Sequence, residues 1–598
     1  IVFGDWSSDV CSSDLAAHQS WLSLHEGVFK RVDALYQKRA SLGLNPEQLR
    51  LLERVHLDYV MQGAKLEGDA RKRYAEISEE LAGLFTTFSQ AVLADEAAFA
   101  LELKTDEDRA GLPEFVLDAA RSVAQEKGMD GYVINLSPSL VDPFMTYSTR
   151  RDLREKVWRA FKARGETVAE RDTKPVAEKI LRLRAELAGL MGYKNFADYA
   201  LVDRMAKKPA AVEELLMRVW KPARERALVE QKDLEALAAK EGFAGPVMGW
   251  DWNFYAEKLR QERYSLDEAA LKPYFQLDKM TEAMFDAAGR LYGVSFKEIK
   301  GVPLHHPDAR LFEVREAKGD ALVGVFIADS FARPTKRGGA WMSEFRGQSK
   351  NRPGGLPYPI IINNNNFAKA PAGKPTLLSL DDLRTLFHEF GHGLHGLLSN
   401  VTYARLAGTS VLQDFVELPS QINEHWALAP EVLKKHAVHA QTGKAISDEL
   451  IALIKKSEHF NQGFLTVAYT SCALVDMALH QHPDPAKLNL AAFEKAEMER
   501  LGVPEAVGMR HRLPQFRHLF SDNGYAAGYY VYMWAEVLDA DGFEAFEESG
   551  DVFNAELAAK FKRFVLSAGN TMDPAEAYRS FRGRDADVKP LLKGRGLL

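Results

Sequence analysis

Cysteine is almost absent from this 598-residue chain, which has only Cys11 and Cys472. Cys11 lies in the opening string IVFGDWSSDVCSSDL, residues 1–15, which is serine-rich and has neither helical nor strand periodicity. Its DWSSDVCSSDL portion looks like one reading frame of a common short-read sequencing adapter, so residues 1–15 are expected to be non-native and to stand where a native N-terminus is missing. That leaves Cys472 alone, which excludes intramolecular disulfides and a cysteine-based metal cluster. Within TVAYTSCALVDMALH it reads as a small core residue rather than a nucleophile. Long hydrophobic runs are lacking too. No stretch approaches the roughly 18 apolar residues that span a bilayer, so no integral membrane segment is expected. A basic stripe is also missing, and setting aside Asp5, Asp9 and Asp14 moves the net charge from −7 to −4. Nucleic acid is therefore not an expected partner. No internal repeat of 20–50 residues is evident.

What is present is 46% hydrophobic and 27% charged, the balance of a soluble protein able to bury a large core, at a length that implies more than one lobe. Asn45 followed by Pro46 opens a helix, and a second helix covers about 69–94 with Ile77, Leu81, Leu84, Phe85 and Phe88 on one face. Residues 16–135 thus read as an N-terminal helical region and 136–598 as a catalytic region. GYVINLSPSL (131–140) suggests a short strand before a Pro/Ser loop. Three charge-rich helical segments follow, whose Arg, Lys and Glu runs read as solvated faces. The pattern then changes. LFEVRE, the turn AKGD and ALVGVFIAD form an expected β-hairpin, YPIIINN another strand, and KRGGAWMSEFRGQSKNRPGGLP between them a Gly/Pro-rich loop. An exposed edge of such a sheet can pair with an extended peptide, although a purely structural hairpin fits equally.

The run DDLRTLFHEFGHGLHGLLS holds the strongest chemical signal, His388-Glu389-Phe390-Gly391-His392. On an α-helix His388 and His392 stand one turn apart, about 40° around and about 6 Å along the axis, so both imidazoles reach one ion. Glu389 flanks the ion without ligating it, where it can take a proton from a metal-bound water. Two neutral imidazoles select an ion such as Zn²⁺ over Mg²⁺ or Ca²⁺. His395 lies about 10 Å further along the axis, too far to share the ion, and reads as cleft-lining or as support for the ligands. A catalytic site needs a third ligand, and Glu417 in LQDFVELPSQINEHW is the best placed candidate, with Asp414 and Glu424 as competitors. Further on, FRHLFSDNGYAAGYYVYMWAEV brings Tyr525, Tyr529 and Tyr532 to spacings of four and three, one face of a helix if the segment is helical. An aromatic core stripe is the plainer explanation, but His518 and the glycines Gly524 and Gly528 suit a loop of donors for an oxyanion.

Taken in order, HEFGH, DFVELPSQ and HLFSDNGYAAGYYVYMW make the sequence resemble the thimet oligopeptidase family of zinc metallopeptidases, closest to its bacterial peptidyl-dipeptidase branch. The similarity runs from about residue 16 to the end and includes RVHLDYVMQGAKL, TYSTRRDLREKVWRAF, RPTKRGGAWM and YRSFRGRDADVKPLLKGRGL. The resemblance implies one zinc ion on His388, His392 and Glu417, and Glu389 as general base. It implies that His518, Tyr525 and Tyr532 stabilise the transition state, with Tyr529 and Gly524 contacting substrate. It also implies a mainly α, elongated, two-lobed fold with a deep central channel and a small antiparallel sheet beside the HExxH helix. Short peptides are the expected substrates, a monomer the expected state, and the released product a C-terminal dipeptide, with internal cleavage by the same site as the alternative. A zinc-containing binding protein without activity is the alternative of another class. The cytoplasm is the favoured location, with the periplasm left open by the missing N-terminus. One departure is the seven-residue step from His518 to Tyr525, one or two longer than in several relatives.

Overall fold

The computed structural model describes residues 18, 21–264, 268–333, 336, 339–352, 354–370 and 373–598. The adapter-like string 1–15 lies outside them. Helix α1 (Pro46–Met61) starts where the sequence signals it. Asn45 accepts from Gln48 N at 2.9 Å while Gln48 Oε1 accepts from Asn45 N at 3.0 Å, a reciprocal cap with proline at the first position. Helix α2 (Gly68–Ala98) buries Ile77, Leu81 and Phe88, with Leu84 and Phe85 packed partly against the same core. The three charge-rich segments form α3 (Arg151–Lys162), α4 (Lys174–Leu190) and α5 (Pro209–Lys240).

Two details differ from the sequence reading here. Residues 133–134 form a strand paired with 101–102, but the expected Pro/Ser loop is a helix, Pro138–Tyr147, because proline fits a helix's first turn. The charged runs are not all solvated either. Arg154 and Arg184 are fully buried, Arg154 against Asp251 at 3.0 Å and Arg184 against a polar cluster described below.

A five-stranded sheet follows: β1 (Val294–Ile299), β2 (Arg310–Glu316), β3 (Leu322–Phe331), β4 (Trp341–Arg346) and β5 (Ile360–Phe367). Its order is β1-β2-β3-β5-β4. The hairpin β2/β3 is as expected. The sheet as a whole is mixed rather than antiparallel, since β3 and β5 pair in parallel. The chain runs from β3 out to the edge as β4 and returns into the gap as β5, which fixes that direction. Strand β4 lies inside the segment expected to be a Gly/Pro-rich loop.

Helix α6 (Leu380–Leu397) packs on the sheet, α7 (Leu418–Ala427) packs on α6, and α8 (Gln462–His480) and α9 (Val531–Glu548) complete the frame. The fold is mainly helical and two-lobed, with two large hydrophobic cores. One joins α2, α4, α5, α8 and the C-terminal end; the other joins the sheet, α6 and α7. Helix α9 serves both, giving Val531, Met533 and Val537 to the first and Leu538, Phe543 and Phe546 to the second, with Trp534 against each. Among the described residues α8 alone is long and apolar enough to cross a membrane, a length the sequence reading did not expect. Most of it is buried inside the first core, as in an interior helix of a globular lobe.

Candidate active site

Helix α6 is anchored at its start by Ser379, which accepts from Asp382 N at 3.0 Å while Asp382 returns the bond to Ser379 N at 2.9 Å. From that cap the helix carries His388 and His392 to one side, their rings 5.1 Å apart. Glu417 comes from the residue just before α7. Its Oε2 stands 3.3 Å from His388 Nε2 and 3.1 Å from His392 Nε2. Two features permit this approach. At Gly391 a Cβ would meet Pro419 O at 2.3 Å and Ser420 Cα at 2.6 Å, so α6 and α7 touch backbone to backbone. At Gly408, φ is +47°, and a Cβ there would meet Gly396 Cα at 3.1 Å, so the connecting loop folds flat against α6.

The two competitors for third ligand have other partners. Asp414 is fully buried and accepts from Met205 N (2.8 Å), Ala206 N (3.0 Å) and the Tyr530 hydroxyl (2.8 Å). Glu424 meets His388 Nδ1 at 2.7 Å. With Nδ1–H donated to Glu424, the His388 Nε2 lone pair turns toward Glu417, the tautomer that a metal ligand needs. His388, His392 and Glu417 offer three ligand atoms that all lie within 4.8 Å of one another. Two imidazole nitrogens and one carboxylate oxygen fit a borderline divalent cation with one position left open. Electrostatics agree. Burial would raise Glu417, but the charge of His392 and hydrogen bonds from both histidines hold it well below the usual carboxylate range. Burial likewise would lower His388, yet Glu417 and Glu424 hold it well above its ordinary value, so the pocket draws positive charge.

Glu389 is 5% exposed and its Oε2 has no hydrogen-bond partner. Burial raises its pKa, with the charges of Glu417 and Glu424 adding to the shift. His395 does not line the cleft. It is fully buried, neither ring nitrogen has a partner, and desolvation lowers its pKa to about 3. Asp381 in the first turn of α6 and Asp142 on the Pro138–Tyr147 helix both reach solvent, yet desolvation raises the pKa of each.

The tyrosine segment is not one helical face. Residues 524–530 are turns, Ala527 takes φ +52°, and α9 begins only at Val531. The rings nevertheless gather. Tyr525 stacks on Tyr532 at 5.7 Å, Tyr529 lies 5.8 Å from Tyr532, and His518 lies 5.5 Å from Tyr525 and 5.2 Å from Tyr529. Burial raises the pKa of all three phenols, and the charge of Glu417 adds to the shift of Tyr525 and Tyr532, placing them within electrostatic reach of the metal-ligand set. Gln421, one turn after Glu417, donates to Tyr532 O at 3.2 Å, and Tyr530 reaches Asp414, so α7 and the tyrosine segment are bonded to each other. Desolvation lowers His518 to about 4, which leaves it neutral. Gly524 is exposed beside Asp522. Sequence reading missed His511, whose ring sits 5.5 Å from His518, because no periodicity links it to the site. Glu424, read from the sequence as a competitor for the third ligand, instead partners His388 Nδ1.

Two histidines one turn apart, a glutamate between them and a carboxylate from the adjoining helix define a metal-dependent hydrolase of the HExxH type. Residues 144–597 match Peptidase family M3, and the chain belongs to that family of metallopeptidases. It is 38% identical over 591 residues to the dipeptidyl carboxypeptidase of Escherichia coli K12, covering 98% of this chain and 86% of that protein. It is 35% identical over 590 residues to oligopeptidase A of the same organism, with the same coverage. Among solved structures, PZ peptidase A with an inhibitor superposes with a TM-score of 0.53 at 13% identity, covering 97% of this chain and 85% of that one. A putative oligoendopeptidase F gives 0.53 at 12% identity over 97% and 84%. At such identities these structures speak for the fold alone.

Proposed function

We propose that this chain is a zinc-dependent peptidyl-dipeptidase that hydrolyses short peptides and releases C-terminal dipeptides. The observation that carries the reading is the convergence of His388 Nε2, His392 Nε2 and Glu417 Oε2 beside the buried Glu389 carboxylate. The relation to a dipeptidyl carboxypeptidase at 38% identity supports the choice of product. Zinc suits two imidazoles and one carboxylate; when bound it polarises the scissile carbonyl and makes water acidic enough to lose a proton near neutral pH.

The chain's own residues do the rest. Glu424 fixes the tautomer of His388. Glu389 Oε2 has no competing partner, so it accepts the proton of the attacking water and then delivers it to the leaving amine. Its raised pKa brings its proton affinity nearer to neutrality, which favours both transfers. Tyr525 and Tyr532, held protonated by burial, donate to the developing oxyanion, while Tyr529, neutral His518 and the backbone at Gly524 contact the peptide. Strand β4 pairs on one side only among the described residues, which leaves an edge for an extended substrate.

A single peptide with a free or an amidated C-terminus tests the product. A peptidyl-dipeptidase needs the free carboxylate, so dipeptides should appear from the free peptide and cleavage should fall sharply on amidation. The second reading, an endo-acting oligopeptidase, is favoured by the 35% identity to oligopeptidase A, and undiminished internal cleavage of the amidated peptide would select it. Stoichiometric zinc with no cleavage of either peptide would select a binding protein.

A further inference from the structure

Behind the tyrosine segment lies a chain of buried polar groups that the chemistry above does not use. Asp476 on α8 is fully buried, accepts from Ala527 N with one carboxylate oxygen and from Tyr529 N with the other, both at 2.9 Å. His480, one turn later on α8 and 4% exposed, holds its Nδ1 2.8 Å from Asp476 Oδ1. Its Nε2 lies 3.1 Å from Arg184 Nη1 on α4. A guanidinium only donates, so Nε2 accepts and the proton sits on Nδ1, where the Asp476 carbonyl oxygen at 3.0 Å accepts it with the Asp476 carboxylate alongside. Fully buried Arg184 then reaches the other end of the same segment, donating from Nε to Asn523 Oδ1 at 2.9 Å and from Nη2 to Asp522 O at 2.7 Å. Tyr469, also on α8, donates to Tyr529 O at 2.6 Å and accepts from Met533 N at 3.2 Å.

These contacts have a geometric consequence. Residues 522–529 are gripped at both ends by one connected set of polar side chains, and at the Asp476 grip Ala527 adopts the left-handed φ of +52° that an L-residue rarely holds. The Asp476 carboxylate faces the two amides on either side of Gly528, so the turn that aims Tyr525 and Tyr529 is over-determined from the lobe interior. A buried, fully bonded network of this kind loses much when one member is altered, because the others are left unpaired.

We propose that Asp476, His480 and Arg184 are positioning residues for the peptidase reaction, holding the 522–529 turn so that the tyrosine hydroxyls meet the transition state. None of the three touches the substrate; they act through the turn. The inference rests on the peptidase reading for its kinetic consequence and on the turn's geometry for its structural one.

The test uses the 598-residue chain, zinc-loaded, and two variants. Asp476→Asn keeps the shape but turns an NH₂ toward a backbone N–H. Asn523→Ala, at an exposed position, removes one of the two acceptors at the Arg184 end of the turn and leaves the buried side chains themselves in place. For Asp476→Asn we expect kcat to fall by roughly 100-fold, the scale of a misplacement of about 1 Å, with a smaller rise in KM, because Tyr529 and Gly524 share the turn, and zinc content unchanged. Affinity for a phosphinic peptide that mimics the tetrahedral state should fall by a similar factor. Asn523→Ala should show the same split at a loss of several-fold. Independently of activity, amide hydrogen exchange across 522–530 should quicken in both variants while the rest of α9 keeps its protection. Wild-type protein that cleaves no peptide refutes the functional reading and leaves the exchange result to decide the positioning claim. Active wild type, together with variants whose kcat lies within threefold of it and whose 522–530 exchange is unchanged, overturns the inference. Should Asp476→Asn fail to fold, Asn523→Ala decides by the same criteria.

Discussion

Replacing Gly391 by alanine probes the contact on which the metal-ligand geometry depends. The added methyl would sit 2.3 Å from the Pro419 carbonyl oxygen and 2.6 Å from Ser420 Cα. Both obstacles are backbone atoms, so no side-chain rotation relieves them. Ordinary non-bonded contact needs about 3.5 Å, and α6 and α7 must therefore separate by about 1 Å. Glu417 stands two residues before Pro419, and its present spacings of 3.3 and 3.1 Å to the two histidines would widen with that shift. Overpacking of this kind costs about 1–3 kcal/mol of stability. Disturbed ligand geometry should weaken metal affinity by about 10–100-fold, and kcat/KM should fall by on the order of 100-fold. Chelator competition gives the affinity, and hydrolysis of a short peptide gives the rate. Gly189→Ala is the control, since a Cβ there meets nothing within 4 Å and α4 should gain slightly in stability. A Gly391→Ala protein with wild-type zinc affinity and kcat/KM within threefold would refute the reasoning.

Glu424→Gln removes the charge that holds His388 Nδ1 at 2.7 Å, so zinc affinity should fall by about 10–100-fold; an unchanged affinity in chelator competition would contradict that role. Asp329, 1% exposed, accepts from Arg333 at 2.8 Å through both terminal nitrogens and from Lys336 at 3.0 Å, and it lies 2.9 Å from His305 Nε2. Burial would raise its pKa, but Arg333, His305 and Lys336 outweigh burial and hold it far below the usual carboxylate range. Its contribution is therefore complete above the unfolded value of about 3.9 and is lost as pH falls from there toward the depressed native pKa. Asp329→Asn should cost about 3–5 kcal/mol at pH 7 and flatten the acid limb of the stability curve. Urea melts at pH 3, 5 and 7 with the same pH dependence as wild type would show otherwise.

The histidine helix was legible because its chemistry is local: the four-residue histidine step and the glutamate between lie within one segment. Glu417 was a candidate because it lies only 25 residues beyond His392, in the next segment rich in carboxylates. What escaped reading depends on distant partners. Strand β4 hides in a Gly/Pro-rich stretch because its pairing is supplied by β5, and the parallel β3/β5 pair follows from the order in which strands enter the sheet. Arg154 and Arg184 read as solvated charge because Asp251, His480 and Asn523 are far off in sequence. The tyrosine spacing of four and three pointed to one helix face, but the left-handed Ala527 and the late start of α9 replace it with a turn whose rings still converge.

The central claim, that Glu389 moves the proton beside a zinc ion held by its neighbours, is tested most directly by Glu389→Gln. Zinc content and peptide turnover are measured on the same preparation. The account predicts one zinc per chain, as in wild type, with turnover reduced to a few per cent or less, because the glutamine cannot accept the proton of the attacking water. A zinc-loaded Glu389→Gln protein that keeps more than a few per cent of wild-type turnover would contradict it.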